Sequence, residues 1–157
     1  MESKFFFHHI RRTGGTVDKQ IDICDTLDIA KRSFRKFMGD YGYGVRQDTD
    51  FVSGMVTDSN GNIVKPYDET WISTNVGKFF MHRIKHTETN DQWDKGIEVK
   101  DSYDAAKQSF NAYLGAWAYG FGEGVDFVDC RITDSYGAQL MGEMWAAPEP
   151  EPEPEVI

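Results

Sequence analysis

The chain repeats itself, and no other feature limits its fold so strongly. Lys4 to Ile10 (KFFFHHI) returns as Lys78 to Ile84 (KFFMHRI), with five of seven positions identical at a spacing of 74. Residues 25–62 then align without a gap on 101–138 at a spacing of 76, and 16 of the 38 pairs are identical, a density that chance does not produce. The pairs include Asp25/Asp101, Asp28/Asp104, Phe34/Phe110, Tyr43/Tyr119, and the tetrad Thr57, Asp58, Ser59, Gly61 against Thr133, Asp134, Ser135, Gly137. Glu69 and Trp71 close the match against Glu143 and Trp145. The chain therefore divides into repeat 1 over 1–72, a short linker over 73–77, repeat 2 over 78–147 and a tail over 148–157.

Each repeat reads as two strands, a helix and a hairpin. Phe6, His8 and Ile10 alternate with Phe5, Phe7 and His9, so both faces of the first strand are largely apolar and the strand is central. Ile21 and Ile23, matched by Ile97 and Val99, alternate with polar neighbours as on a half-buried sheet face. Asp25 and Asp101 are expected to cap the helices, with Asp28 and Asp104 in the first turns. Ala30, Phe34, Phe37 and Met38 recur at helical spacing, as do Ala106, Phe110, Tyr113, Leu114 and Trp117. Glycines (Gly39, Gly42, Gly44; Gly115, Gly120) are expected to end the helices. DSNG and DSYG, starting at Asp58 and Asp134, predict hairpin turns, and Pro66 predicts an edge or bulge in the last strand of repeat 1. Val52, Val56, Val128, Cys130 and Ile132 are expected to face inward, and Tyr43 and Tyr119 to join the core. A unit of about 70 residues is marginal as an independent core. The expected fold is therefore α+β: two tandem ββαββ-like repeats packed as one body with an approximate internal twofold, antiparallel sheet with one helix per repeat.

Composition narrows the partners. The net charge is −9, four of it from Glu149, Glu151, Glu153 and Glu155, so the body is acidic without being extreme. An acidic body argues against duplex nucleic acid or an anionic membrane as main partner, because both need clustered Lys and Arg. The N-terminal apolar run is too short for a signal peptide or a bilayer span, which predicts a cytoplasmic protein. Cys24 and Cys130 occupy non-equivalent places in the repeats and read as reduced, buried thiols. The alternating Pro and Glu of the tail predict an extended, solvated segment near polyproline II, disordered in isolation.

Catalytic chemistry finds little support in the residues. His8 and His82 are equivalent, but a metal site needs three or four converging ligands, and core or interface histidines are the better reading. Asp58, Asn60, Asn62 and Glu69 match four places of a calcium loop, yet Ile63 stands where the loop requires Gly, so the segment reads as a turn. Asp50 and Asp126 recur as strand-edge or turn residues rather than as an acid and base pair. The glycines of YGYG and YGFGEG follow a helix, whereas phosphate loops precede one. No enzyme, metal or cofactor is expected. The candidate binding residues are the aromatics Tyr41, Trp93, Trp117 and Tyr119 and the helix cations Lys31 and Arg35; Lys31, Arg32, Arg35 and Lys36 give the first helix a basic face that the second lacks.

At HRIKHT, WDKGI, DSYDAAKQSF, AYLGAWAYG and ITDSYGAQL, the second repeat resembles small single-copy proteins of unknown function from gut Firmicutes and their phages. The resemblance implies a small binding or accessory protein and carries no assigned active site. The leading expectation is a non-catalytic intracellular protein-binding module, of phage or mobile-element type, that occludes a host protein. The alternative is a small-ligand protein that sequesters a nucleotide or sugar in an aromatic pocket at the repeat interface. Nucleic-acid mimicry by ordered carboxylates is weaker, since the body is well supplied with Lys and Arg.

Overall fold

The computed structural model describes residues 3–43, 48–73, 76–118 and 124–147. In the first repeat β1 (Phe5–Thr13), β2 (Thr16–Cys24), β3 (Thr49–Asp58) and β4 (Ile63–Ile72) form an antiparallel sheet in the order β2-β1-β3-β4, with α1 (Leu27–Phe37) between β2 and β3. The second repeat gives β5 (Phe79–Thr87), β6 (Gln92–Lys100), α2 (Tyr103–Trp117), β7 (Val125–Asp134) and β8 (Gln139–Ala146), with sheet order β6-β5-β7-β8. The strand with two apolar faces, β1, is indeed internal. Pro66 lies in an edge strand, where a missing N–H costs no ladder bond, and the pairing of β3 with β4 shifts register between Met55 and Thr57, so edge and bulge occur together. Both hairpins turn at the expected tetrads, with Gly61 at φ 81° and Gly137 at φ 82°.

The helix termini differ from expectation. Thr26 and Ser102, not Asp25 and Asp101, are the N-caps: Ile29 N–H donates to Thr26 Oγ1 at 3.2 Å and Ala105 N–H to Ser102 Oγ at 3.1 Å. A cap must reach the amide three residues on, and the aspartates stand one residue too early. They instead accept from the equivalent lysines, Lys4 at 2.6 Å and Lys78 at 2.5 Å. Gly115 does not end α2, which runs on to Trp117, and a π-helical turn over Met38–Gly42 follows α1. Tyr43 is not core: it is 60% exposed, and its hydroxyl donates to Glu69 at 3.0 Å. Gly44, Tyr119, Gly120 and the tail lie outside the described residues.

Strand alternation sets the layers. Phe7, Val52 and Val56 point from one face of the first sheet to Ala30, Phe34 and Met38 of the α1 region, while Val128, Cys130 and Ile132 meet Ala106, Phe110 and Leu114 of α2. The opposite faces meet each other. Phe6, Ile10, Ile21 and Phe51 share one core with Phe80, Ile84, Ile97 and Phe127, so the two sheets stack face to face and the helices lie outside. Contacts across this interface are reciprocal. Phe6 stacks on Phe127 at 5.5 Å, and Phe80 stacks on Phe51 at 5.4 Å, both with planes 16° apart. Likewise the turn at Gly61 abuts Met144 of β8, and the turn at Gly137 abuts Thr70 of β4; a Cβ on Gly137 would overlap Thr70 Oγ1. Among the described residues no helix is long and apolar enough to cross a membrane.

Candidate functional site

Two equivalent histidines meet at the centre of the stacked sheets. His8 on β1 and His82 on β5 are buried, with Nδ1 atoms 3.0 Å apart, and each Nε2 lies 2.9 Å from the hydroxyl of an equivalent threonine, Thr57 or Thr133. Between two neutral rings only one Nδ1 can carry the shared proton, so one ring donates and the other accepts. The order continues outward: the accepting ring keeps its proton on Nε2 and donates to its threonine, while the other ring accepts from its own. Burial holds both rings in the neutral form. It lowers His82 to about 3, with the Arg131 guanidinium adding to the effect, and lowers His8 well below the usual imidazole value, with His82, Arg131 and His9 adding to it.

This pair floors a cavity of about 360 Å³ between the sheets. Ser53, Met55, Lys65, Asp68 and Thr70 line it from the first sheet, and Tyr136, Gly137 and Gln139 from the β7–β8 hairpin of the second. Ser53 Oγ and Thr70 Oγ1 lie 3.0 Å apart, and Lys65 pairs with Asp68 at the mouth. The cavity lies beside the β4 bulge. Here repeat 1 has six residues, 63–68, where repeat 2 has four, 139–142.

The corresponding region of the second sheet is filled differently. Arg131 and Asp129 stand where the first repeat has Met55 and Ser53, and their side chains are 2% and 1% exposed. The Arg131 guanidinium donates to Asp129 Oδ2 at 2.7 Å, to Gln139 Oε1 at 2.9 Å and to the Gly61 carbonyl at 3.3 Å. Burial pushes the Asp129 carboxyl up, against the pull of Arg131. A smaller cavity of about 260 Å³ remains beside this pair.

A second buried polar cluster explains the recurring aspartates. Asp50 accepts from Arg12 at 3.0 Å, and the equivalent Asp126 lies 2.6 Å from Nδ1 of His86, which replaces that arginine. Repeat 2 has the longer β-turn here, and Asp91 at its end, with φ 48°, brings Oδ1 to 2.7 Å from His86 Nε2. Trp93 covers the imidazole at 4.4 Å. These aspartates thus lie on strands and hold a basic side chain in each repeat, Arg12 or His86.

The candidate aromatics and cations are not brought together. Tyr41 lies under the Arg11 guanidinium at 4.1 Å, and the equivalent Trp117 under Lys85 at 3.4 Å, so each ring engages a cation of the central strand. Trp93 packs on Phe6 as well as on His86, at the rim of the inter-sheet core. Lys31 and Arg35 stand 5.4 and 5.6 Å from the Tyr67 ring on β4, and Arg35 donates to its hydroxyl at 3.0 Å. Tyr119 lies outside the described residues. None of the five described candidates lines the central cavity. Cys24 and Cys130 are free and buried, and burial pushes both thiols up. Among the described residues no three His, Cys, Asp or Glu side chains gather as a metal would require.

Sequence reasoning read His8 and His82 as core or interface histidines and passed over Ser53, Thr70, Gln139 and Arg131. A signal existed: the repeat spacing falls from 76 at Asn62/Ala138 to 74 at Glu69/Glu143, which marks the two additional residues beside the cavity. Comparison of the chain with protein-family models, with curated proteins and with solved structures finds no match.

Proposed function

We propose that the chain is a non-catalytic binding protein that holds a small polar ligand between its two sheets. The carrying observation is the cavity of about 360 Å³ above His8 and His82, a size within the range of about 300–1,000 Å³ usual for ligand sites. Its lining combines apolar surface with a few converging polar groups, the pattern that orients a small molecule. The histidines form a neutral floor that closes the cavity: each has both ring nitrogens bonded within the protein, so neither is placed as a free base or as a ligand donor. We further propose that an approximate twofold axis passes between His8 and His82. Support comes from the reciprocal contacts, in which a residue of one repeat meets a partner whose equivalent meets its own equivalent. A fused homodimer has this geometry, and its central cleft is shared by both repeats.

The test is a melting-temperature screen of the full chain against small polar metabolites, repeated on Ser53→Leu, whose side chain occupies the cavity. A ligand-dependent rise in the parent that Ser53→Leu abolishes supports the site. No rise in either protein across the panel counts against it.

The basic face of α1 favours a second reading, a cytoplasmic module that occludes another protein. Arg32, Arg35 and Lys36 are exposed there, and α2 offers only Lys107 in the matching stretch. An acidic protein partner retained by the parent and lost on Arg32→Glu with Lys36→Glu would support this reading; equal retention by both would remove it.

A further inference from the structure

Building on the cavity reading, we infer that the cleft takes one uncharged, hydroxyl-bearing ring of monosaccharide or ribonucleoside size, and that phosphorylated forms are excluded. The inner wall offers hydroxyls from Ser53, Thr70 and Thr133 above the imidazoles of His8 and His82, whose ring nitrogens are bonded to each other and to Thr57 and Thr133. Each hydroxyl keeps bonding capacity beyond its protein partner and can donate or accept according to its rotor, which suits a ligand whose hydroxyls do the same.

The charges around the cleft are already compensated. Lys65 is paired with Asp68 at the mouth, and Glu69 accepts from Tyr43. The terminal nitrogens of Arg131 are engaged by Asp129, Gln139 and the Gly61 carbonyl. Among the described residues the cations at the cleft, Lys65 and Arg131, are each already paired with a carboxylate, so a phosphate entering it would lose hydration with little replacement. Tyr136, 64% exposed, lines the same cavity and adds aromatic surface of the kind that sugar and base rings pack against.

The repeats also set the stoichiometry. In repeat 2 the side chains of Arg131 and Asp129 occupy the region that Met55 and Ser53 leave open in repeat 1. The cavity left beside that pair, about 260 Å³, is below the range of about 300–1,000 Å³ usual for ligand sites, so one ligand per chain is expected although the fold is built twice.

The experiment is native mass spectrometry of the full chain after incubation in a bacterial metabolite extract, followed by calorimetric titration with named probes. The probes are D-ribose, D-glucose and D-galactose in one arm and adenosine and uridine in the other, each beside its monophosphate. We expect one uncharged ring to bind at one per chain, its phosphate ester to bind at least about tenfold more weakly, and Tyr136→Ala to weaken the uncharged probe; the arm that binds identifies sugar or nucleoside. A monophosphate that binds as tightly as its parent, or a retained anion lost in Ser53→Leu, overturns the charge assignment while leaving the cavity site standing. Two ligands per chain overturns the stoichiometry. No retained mass and no binding by any probe, or a retained mass insensitive to Ser53→Leu, overturns the site itself.

Discussion

At His82, burial and the neighbouring guanidinium hold the imidazole neutral down to about 3, whereas the unfolded chain takes up that proton near the ordinary imidazole value of 6.5. Between those values the unfolded state binds more protons, so stability is fully present above about pH 6.5 and falls as pH drops towards 3. Asp129, raised by burial, acts in the opposite direction, so the comparison must be made by variant. We expect the melting temperature of the parent to fall more steeply over this window than that of His82→Gln, measured by circular dichroism. Glycines give a second residue-scale outcome. Gly15 and Gly137 have similar φ of 85° and 82°, but only Gly137 has an obstructed Cβ position, against Thr70. Both alanine variants carry a left-handed penalty of about 1–2 kcal/mol; Gly137→Ala adds overpacking of about 1–3 kcal/mol, visible as a lower urea midpoint. At the second cluster, Arg12 already serves Asp50 as His86 serves Asp126. His86→Arg is therefore expected to stay within about 1 kcal/mol of the parent, whereas His86→Leu strands the Asp126 carboxylate and costs about 3–5 kcal/mol by denaturant unfolding.

At the scale of elements, period-2 and period-3.6 patterns suffice to find the strands and helices, because each pattern records which side chains a single element buries. Cap identity needed finer geometry. Asp25 and Asp101 match in the repeat and favour helix starts, yet Thr26 and Ser102 occupy the position from which a side-chain oxygen reaches the third amide. We expect Thr26→Ala and Ser102→Ala each to cost about 1 kcal/mol, and Asp25→Ala and Asp101→Ala to leave the melting temperature nearly unchanged because their lysine pairs are solvent-exposed. Tyr43 illustrates the limit of repeat identity. Matching Tyr119 says that the position recurs, but exposure depends on where the π-helical turn after α1 releases the chain.

At the scale of the whole molecule, the sheet-to-sheet core joins the repeats energetically. Phe6 and Phe51 have their stacking partners in the other repeat, as do Phe80 and Phe127. Phe80→Ala is thus expected to remove about 3–5 kcal/mol and to lower the stability of both repeats together, giving coincident unfolding transitions by backbone dichroism and tryptophan fluorescence. Separate transitions, with the first repeat unaffected, would contradict a shared core.

The duplication, the ββαββ order of each repeat, the hairpin turns and the internal placement of β1 are properties of the sequence alone, since they follow from local periodicity, turn chemistry and self-comparison. The facing of the two sheets, the meeting of His8 with His82, and the open cleft beside Ser53 opposite the filled region at Arg131 were decided by tertiary structure. The physical reason is range. A strand pattern states that Phe6 and His8 share a face, but only long-range packing selects the surface that covers that face, and small volume differences at 53, 55 and 63–68 decide whether space remains beneath it.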